Sequence, residues 1–512
     1  MAVGALQLGR CSGPLIALII LGAIGAIVAA VISRSGGLAL GPGDMAAIRF
    51  TFHQAVWSAA LSVLLAIPVA RALARRRFRG RGIIITLLGA PFILPVIVAV
   101  LGLLAVFGRG GWVSTILVGL GGEPISIYGF HGVVLAHVFF NLPLATRLIL
   151  QAWQAVPAER YRLAAQLAID GWAFFRIIEW PLLQRAVPGA FALIFVLCLT
   201  SFAVALTLGG GPRATTVELA IYQAFRFDFD LGRAAFLSLL QLGLAGTAAA
   251  VAVWLVPRVE LGRGLDRSHD RWDGRGAGAQ DAVVITLAFL FLVLPIGAVA
   301  YDGMGGLLVL PGSVFWAAVT SLWVAGLSVG LMLTAALPLA GWMAMRRRAG
   351  AEVVGIFGIA ISPLMLGTGA FLLINPYADP GRLALVVTAC VNALMTLPFA
   401  LRLMVPALRD LVDDYGRLSL NLGLRGWPLW RIVILPRLRA QMGFAAGLGG
   451  ALSLGDLGVV TLFADQDRAT LPLQMYRLMG AYQMEAASGA AVLLLLLALS
   501  VFWLCDWWGR HA

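Results

Sequence analysis

Two stretches of this chain place the same kinds of side chain at the same spacing. Glu159, Arg162, Leu163, Leu167, Gly171, Arg176 and Pro181 are answered 255 positions later by Asp414, Arg417, Leu418, Leu422, Gly426, Arg431 and Pro436. Between them, Ala164 and Ala168 correspond to Ser419 and Gly423. No nucleophile is paired with a base in either stretch, so covalent catalysis is not what the pattern offers. It offers recognition. Leu163 and Leu167, like Leu418 and Leu422, are four apart and share one helix face. Such an apolar ridge suits a groove in a partner, and Gly171, Gly423 and Gly426 supply turn angles beside it.

Other chemistry is excluded by composition. The four cysteines (Cys11, Cys198, Cys390, Cys505) are scattered without metal or disulfide spacing, and the five histidines are equally dispersed. No catalytic or metal motif accompanies them, so no metal, cofactor or catalytic residue is expected in this chain. All 37 basic residues are arginine. A Walker A loop needs a lysine, so ATP and its magnesium, if they drive this protein, belong to a separate ATPase subunit.

The elements that must position these stretches are membrane helices. The chain is 61% apolar and only 12% charged, whereas soluble chains carry about a quarter charged residues. Its apolar residues fall in blocks long enough to cross a bilayer at roughly 20 residues each, and the short alternating segments of a membrane β-barrel are missing. The expectation is an all-α polytopic protein of about twelve transmembrane helices. The spans fall near 13–33, 51–74, 83–107, 131–156, 186–208 and 234–257, then near 281–301, 314–344, 352–374, 382–405, 440–462 and 487–507. The first block reads as a retained helix, not a cleaved signal.

The hydrophilic stretch 258–280 reads as a flexible cytoplasmic linker. It divides the chain into two six-span repeats, 1–257 and 281–512, with polar loops at about 158–185 and 409–440. Six spans per half make the repeats parallel. Arginines crowd one set of loops, around Arg75-Arg76-Arg77, Arg346-Arg347-Arg348 and both repeated stretches. The positive-inside rule then places those loops and both termini in the cytoplasm. It also accounts for the net charge of +13 without nucleic acid. The outer side holds Asp228, Asp230, Asp465, Asp467 and Glu485, read as solvated charges or contacts to a binding protein. Asp456, beside an apolar span, is a candidate intramembrane acid.

The duplication extends beyond the loops. Leu142-Pro143 matches Leu397-Pro398, Ala66-Ile67-Pro68-Val69 matches Ala336-Leu337-Pro338-Leu339, Ala90-Pro91-Phe92 matches Ser362-Pro363-Leu364, and Arg213-Ala214-Thr215 matches Arg468-Ala469-Thr470. The repeated stretch itself resembles the EAA loop of binding-protein-dependent ABC importer permeases. The pattern falls on Arg162-Leu163-Ala164, Ala168, Ile178 and Trp180-Pro181, and again on Arg417-Leu418-Ser419, Gly423, Val433 and Leu435-Pro436. The motif's glutamate is arginine in both copies, with Glu159 and Asp414 three residues earlier, and its central glycine is kept only as Gly423.

That resemblance implies a MetI-like fold, in which two short helices per half, the second ended by Pro181 or Pro436, couple to two copies of a cytoplasmic ABC ATPase. It also implies a periplasmic substrate-binding protein and residence in the bacterial inner membrane. Ser201-Phe202-Ala203, Leu208-Gly209-Gly210-Gly211-Pro212 and Phe227-Asp228-Phe229-Asp230-Leu231-Gly232-Arg233, with Ser453-Leu454-Gly455-Asp456-Leu457-Gly458, resemble the thiamine transport permeases. Thiamine or its phosphate esters are the implied substrate, and fused ferric-iron permeases share the plan. A major-facilitator transporter would need an aspartate in the loop after its second span, and Arg75–Gly82 has none.

Overall fold

The structure is a computed structural model that describes residues 7–35, 40–89, 93–211, 214–255, 277–345, 361–424, 426–463 and 468–511. Residues 346–348, most of the linker 258–280, Ala90-Pro91-Phe92, Pro212, Arg213, Asp465, Asp467 and the start of the ninth expected span lie outside the described residues.

Every regular element among the described residues is helical. In hydrocarbon a backbone must satisfy its own polar groups, which a helix does within one segment. In the first half the helices are α1 (Gln7–Arg34), α2 (Pro42–Arg75), α3 (Arg81–Leu87), α4 (Val96–Phe107), α5 (Trp112–Gly119), α6 (Phe130–Gln154) and α7 (Ala158–Gln166). Next, α8 is one continuous helix: Gly171–Phe174, a π turn at Phe175–Glu179, then Trp180–Leu199. Short α9 (Ala203–Leu208) and α10 (Val217–Arg226) precede α11 (Leu231–Leu255).

The second half holds α12 (Ala277–Gly306), α13 (Gly312–Met345), α14 (Pro363–Ile374) and α15 (Pro380–Asn421). α16 runs from Trp427–Leu429 through a π turn at Trp430–Ile434 into Leu435–Leu454. α17 (Gly458–Phe463), α18 (Leu471–Gly480) and α19 (Met484–His511) close the chain. Among the described residues 11 helices are long and apolar enough to cross a membrane, and Pro363–Ile374 stands where the ninth span is expected.

The repeat is also visible in three dimensions. Thr51 on α2 accepts a hydrogen bond at 2.8 Å from the Val217 N–H that opens α10. Ser321 on α13 accepts one of the same length from the Leu471 N–H that opens α18. Small residues let the helices close up, as membrane interfaces require: Ala55, Ala59, Ala66 and Ala70 of α2 are fully buried.

The two repeats are not laid side by side as separate units. Each first helix crosses to the opposite half. A Cβ on Gly13 of α1 would run into Trp342 of α13, and one on Gly369 of α14 would run into Ile27 of α1. Reciprocally, Gly102 of α4 admits the Pro295 carbonyl of α12, and Arg76 pairs with Asp281 of α12 at 2.7 Å.

Candidate functional site

The first repeated stretch begins at Pro157, which has no N–H and an extended ψ of 139°, so α6 and α7 are separate helices. Its counterpart 255 positions on is Val412. There the 42-residue α15 runs uninterrupted through Asp414, Arg417 and Leu418 to Asn421. The expected first short helix is therefore free-standing in one half and the end of a span in the other.

Both copies then close with the same turn. The Ile169 N–H donates to the Ala164 carbonyl at 2.9 Å, and the Leu424 N–H donates to the Ser419 carbonyl at 2.9 Å. These bonds span five residues and enclose a left-handed residue, Ala168 (φ 50°) or Gly423 (φ 71°). This is the Schellman arrangement of a helix C-terminus. Gly171 and Gly426 also have positive φ, 51° and 63°; Gly171 opens α8 and Gly426 immediately precedes α16.

Pro181 and Pro436 do not end a short helix, contrary to the sequence expectation. Helix α8 passes through Pro181 as part of a 29-residue apolar segment, Gly171–Leu199, and α16 passes through Pro436. Proline in a helix interior would strike the carbonyl four residues back. In each copy a π turn precedes the proline and shifts the hydrogen-bond register. The Trp180 N–H donates to the Phe175 carbonyl, and the Leu435 N–H donates to the Trp430 carbonyl.

The side chains divide the same way in both copies. Ala164 and Ser419 are buried, as are Phe174 and Leu429. Leu163 (56% exposed) and Leu167 (62%) match Leu418 (53%) and Leu422 (64%). Trp172 and Trp427, and Ile177 and Ile432, are likewise exposed. Around them Glu159, Arg162, Arg176 and Pro181, and Asp414, Arg417, Arg431 and Pro436, face outward. The result is a pair of apolar knobs with charged surrounds. Trp172 stacks on Phe175 with ring centroids 5.1 Å apart, and Arg437 lies over the Tyr415 ring at 4.3 Å.

One feature of the first copy is not evident from the repeat alone. Buried Glu179, the last residue of the π turn, is gripped by Arg71 at 2.8 Å and Arg75 at 3.1 Å, both on α2. This ties the loop to a second span and puts both on one side of the bundle. The available signal was the four-residue spacing of Arg71 and Arg75 on one helix face, opposite an acid in an apolar stretch.

The remaining candidates are dispersed. Asp456 is half-buried between α16 and α17, where its carboxylate accepts the Gly458 N–H at 3.1 Å. Asp230 accepts the Arg233 N–H at 2.9 Å, while Asp228 lies 3.5 Å from the Arg233 guanidinium. Among the described residues no group of three or more metal-ligating side chains occurs.

A duplicated helical bundle with a pair of like turns on one side defines the class: this is a permease of the ABC-importer type. No family model matches the chain. It is 42% identical to the thiamine transport system permease protein ThiP of Salmonella typhimurium over 91% of its length and 89% of the relative's. It is 40% identical to ThiP of Brucella abortus over 90% of this chain and 86% of that one. The chain belongs to the family of thiamine transport system permease proteins. The molybdenum transport system permease protein ModB of Azotobacter vinelandii is 31% identical over 180 residues, 35% of this chain but 78% of ModB. A permease about half as long therefore matches part of the duplicated one.

Proposed function

We propose that this chain is the complete membrane-spanning part of an ATP-driven importer that passes thiamine or its phosphate esters from a periplasmic binding protein to the cytoplasm. The observation that carries the reading is the paired exposure of Leu163 and Leu167 with Leu418 and Leu422, each pair beside the same left-handed turn. Two equivalent knobs fit two copies of one ATPase, each receiving a knob in a cleft. ATP and magnesium act there, and this chain contributes no cofactor and no catalytic residue. Both termini and both knobs face the cytoplasm, with the arginine-rich end of α2 on the same side.

The geometry supplies a way to transmit work. A displacement of the first knob passes along α8 directly into the membrane, because the helix is unbroken at Pro181. It also reaches α2 through Glu179 and its two arginines. The second knob moves as the end of α15, so its displacement is delivered along a 42-residue helix. Glu159, Arg162, Arg176, Asp414, Arg417 and Arg431 set the register of docking, since rim charges steer association more than they hold it. Gly171, Gly423, Gly426 and Ala168 shape the turns.

The test is reconstitution of the chain with its ATPase and binding protein in vesicles. Labelled thiamine should accumulate only with ATP and all three components present. Accumulation by vesicles lacking any nucleotide-hydrolysing subunit would refute the reading. Ligand binding by the cognate binding protein distinguishes thiamine, its phosphates and ferric iron.

A further inference from the structure

On the side of the bundle that carries the turns, a cavity of about 540 Å³ lies between residues 76–84 and the start of α12. Its side is fixed by contact: Arg75 reaches Glu179 of α8 at 3.1 Å, and Arg76 follows it in the chain. Its depth is fixed by the helices that flank it. Helix α2 ends at Arg75 and α12 begins at Ala277, and both are long and apolar enough to cross a membrane. The cavity therefore lies where hydrocarbon gives way to headgroups.

The lining is amphiphilic. Ile83, Ile84, Ile285 and Phe289 form an apolar floor, and the exposed Arg77 and Arg79 line the same cavity. Arg76 adjoins them and is held by Asp281 at 2.7 Å. Ile83 is 66% exposed, so the apolar floor continues onto the outer surface of the bundle. A soluble anion would meet the arginines and leave the floor uncovered. A neutral lipid would cover the floor and offer the arginines no net negative charge. Guanidinium groups bind phosphate oxygens in charge-assisted hydrogen bonds, and basic pockets between spans on the cytoplasmic side suit anionic headgroups.

We propose that this cavity binds an anionic phospholipid of the adjacent leaflet, with its phosphate at Arg79 and its acyl chains along Ile83, Ile285 and Phe289. The lipid would bridge the end of α2 in the first half to α12 in the second, beside the Arg76–Asp281 pair.

Native mass spectrometry of the full chain, titrated with phosphatidylglycerol or phosphatidylcholine of the same acyl chains, tests this. Phosphatidylglycerol should be retained at least tenfold more tightly. Arg79→Gln alters an exposed residue and should weaken that retention about fivefold, at about 1 kcal/mol per arginine. Millimolar inorganic phosphate should not displace the lipid. Equal retention of the two lipids by the unaltered chain overturns the proposal, and needs no variant to be read. So does displacement by inorganic phosphate, which would mark a site for the free anion. Undiminished retention by R79Q also overturns it.

Discussion

Glu179 and Ile434 occupy the same place in the two repeats, 255 positions apart, each the buried last residue of a π turn. Their surroundings are opposite. Glu179 is clasped by Arg71 and Arg75. Ile434 lies in an apolar cluster with Met343, Ala344 and Leu438, and Met345 packs against it. In the alignment that pairs Pro68 with Pro338, Arg71 and Arg75 correspond to Gly341 and Met345. All three members of the ionic group are thus replaced together, and the two knobs are fastened to the bundle by different physics.

Removing one member of a buried ion pair strands the other, whereas replacing the set with apolar residues is often neutral. Glu179→Gln should destabilise the protein by about 1–3 kcal/mol, a range lowered because Arg71 is one-third exposed. The triple change Arg71→Gly, Arg75→Met, Glu179→Ile, which copies the second repeat, should recover most of that loss. Thermal unfolding in detergent reads both.

The left-handed turn residue differs between repeats, and only conformation limits it at Gly423, where an added Cβ would have no atom within 4 Å. Ala168→Gly should stabilise the first turn by about 0.5–1 kcal/mol, and Gly423→Ala should cost about 1 kcal/mol. Unfolding midpoints of the two variants should shift in opposite directions.

A carboxylate on an apolar knob should block its entry into a partner's groove without disturbing the bundle, because these positions face outward. Leu163→Asp or Leu418→Asp should lower co-purification of the ATPase by about tenfold, and the double variant should abolish it. Unchanged elution on size exclusion separates this from misfolding.

The close approach of α4 to α12 depends on Gly102, where a Cβ would run into the Pro295 carbonyl. Gly102→Val should force the helices apart and destabilise the protein by about 1–3 kcal/mol, as overpacking does. Gly297→Ala on the same α12 has open space and should be near neutral. The contrast is measurable by protease resistance in the membrane.

Much of this was readable from local chemistry. Span length and helical class follow from the free energy of moving apolar residues into hydrocarbon, a property summed along a single segment. The paired knobs follow from Leu163/Leu167 and Leu418/Leu422, because spacing of four sets a helix face whatever surrounds it. The turn at Gly423 follows from glycine's freedom at positive φ.

What the local pattern left open depended on partners distant in sequence. Pro181 reads as a helix end, yet the helix continues through it after a π turn. Pro157 against Val412 decides that one knob is free-standing and the other is the end of a span. The crossing of α1 and α12 into opposite halves, and the grip of Arg71 and Arg75 on Glu179 more than a hundred residues away, were decided by the tertiary structure. A buried charge or a close-packed glycine has no preferred partner until helices from remote parts of the chain compete for the same contact.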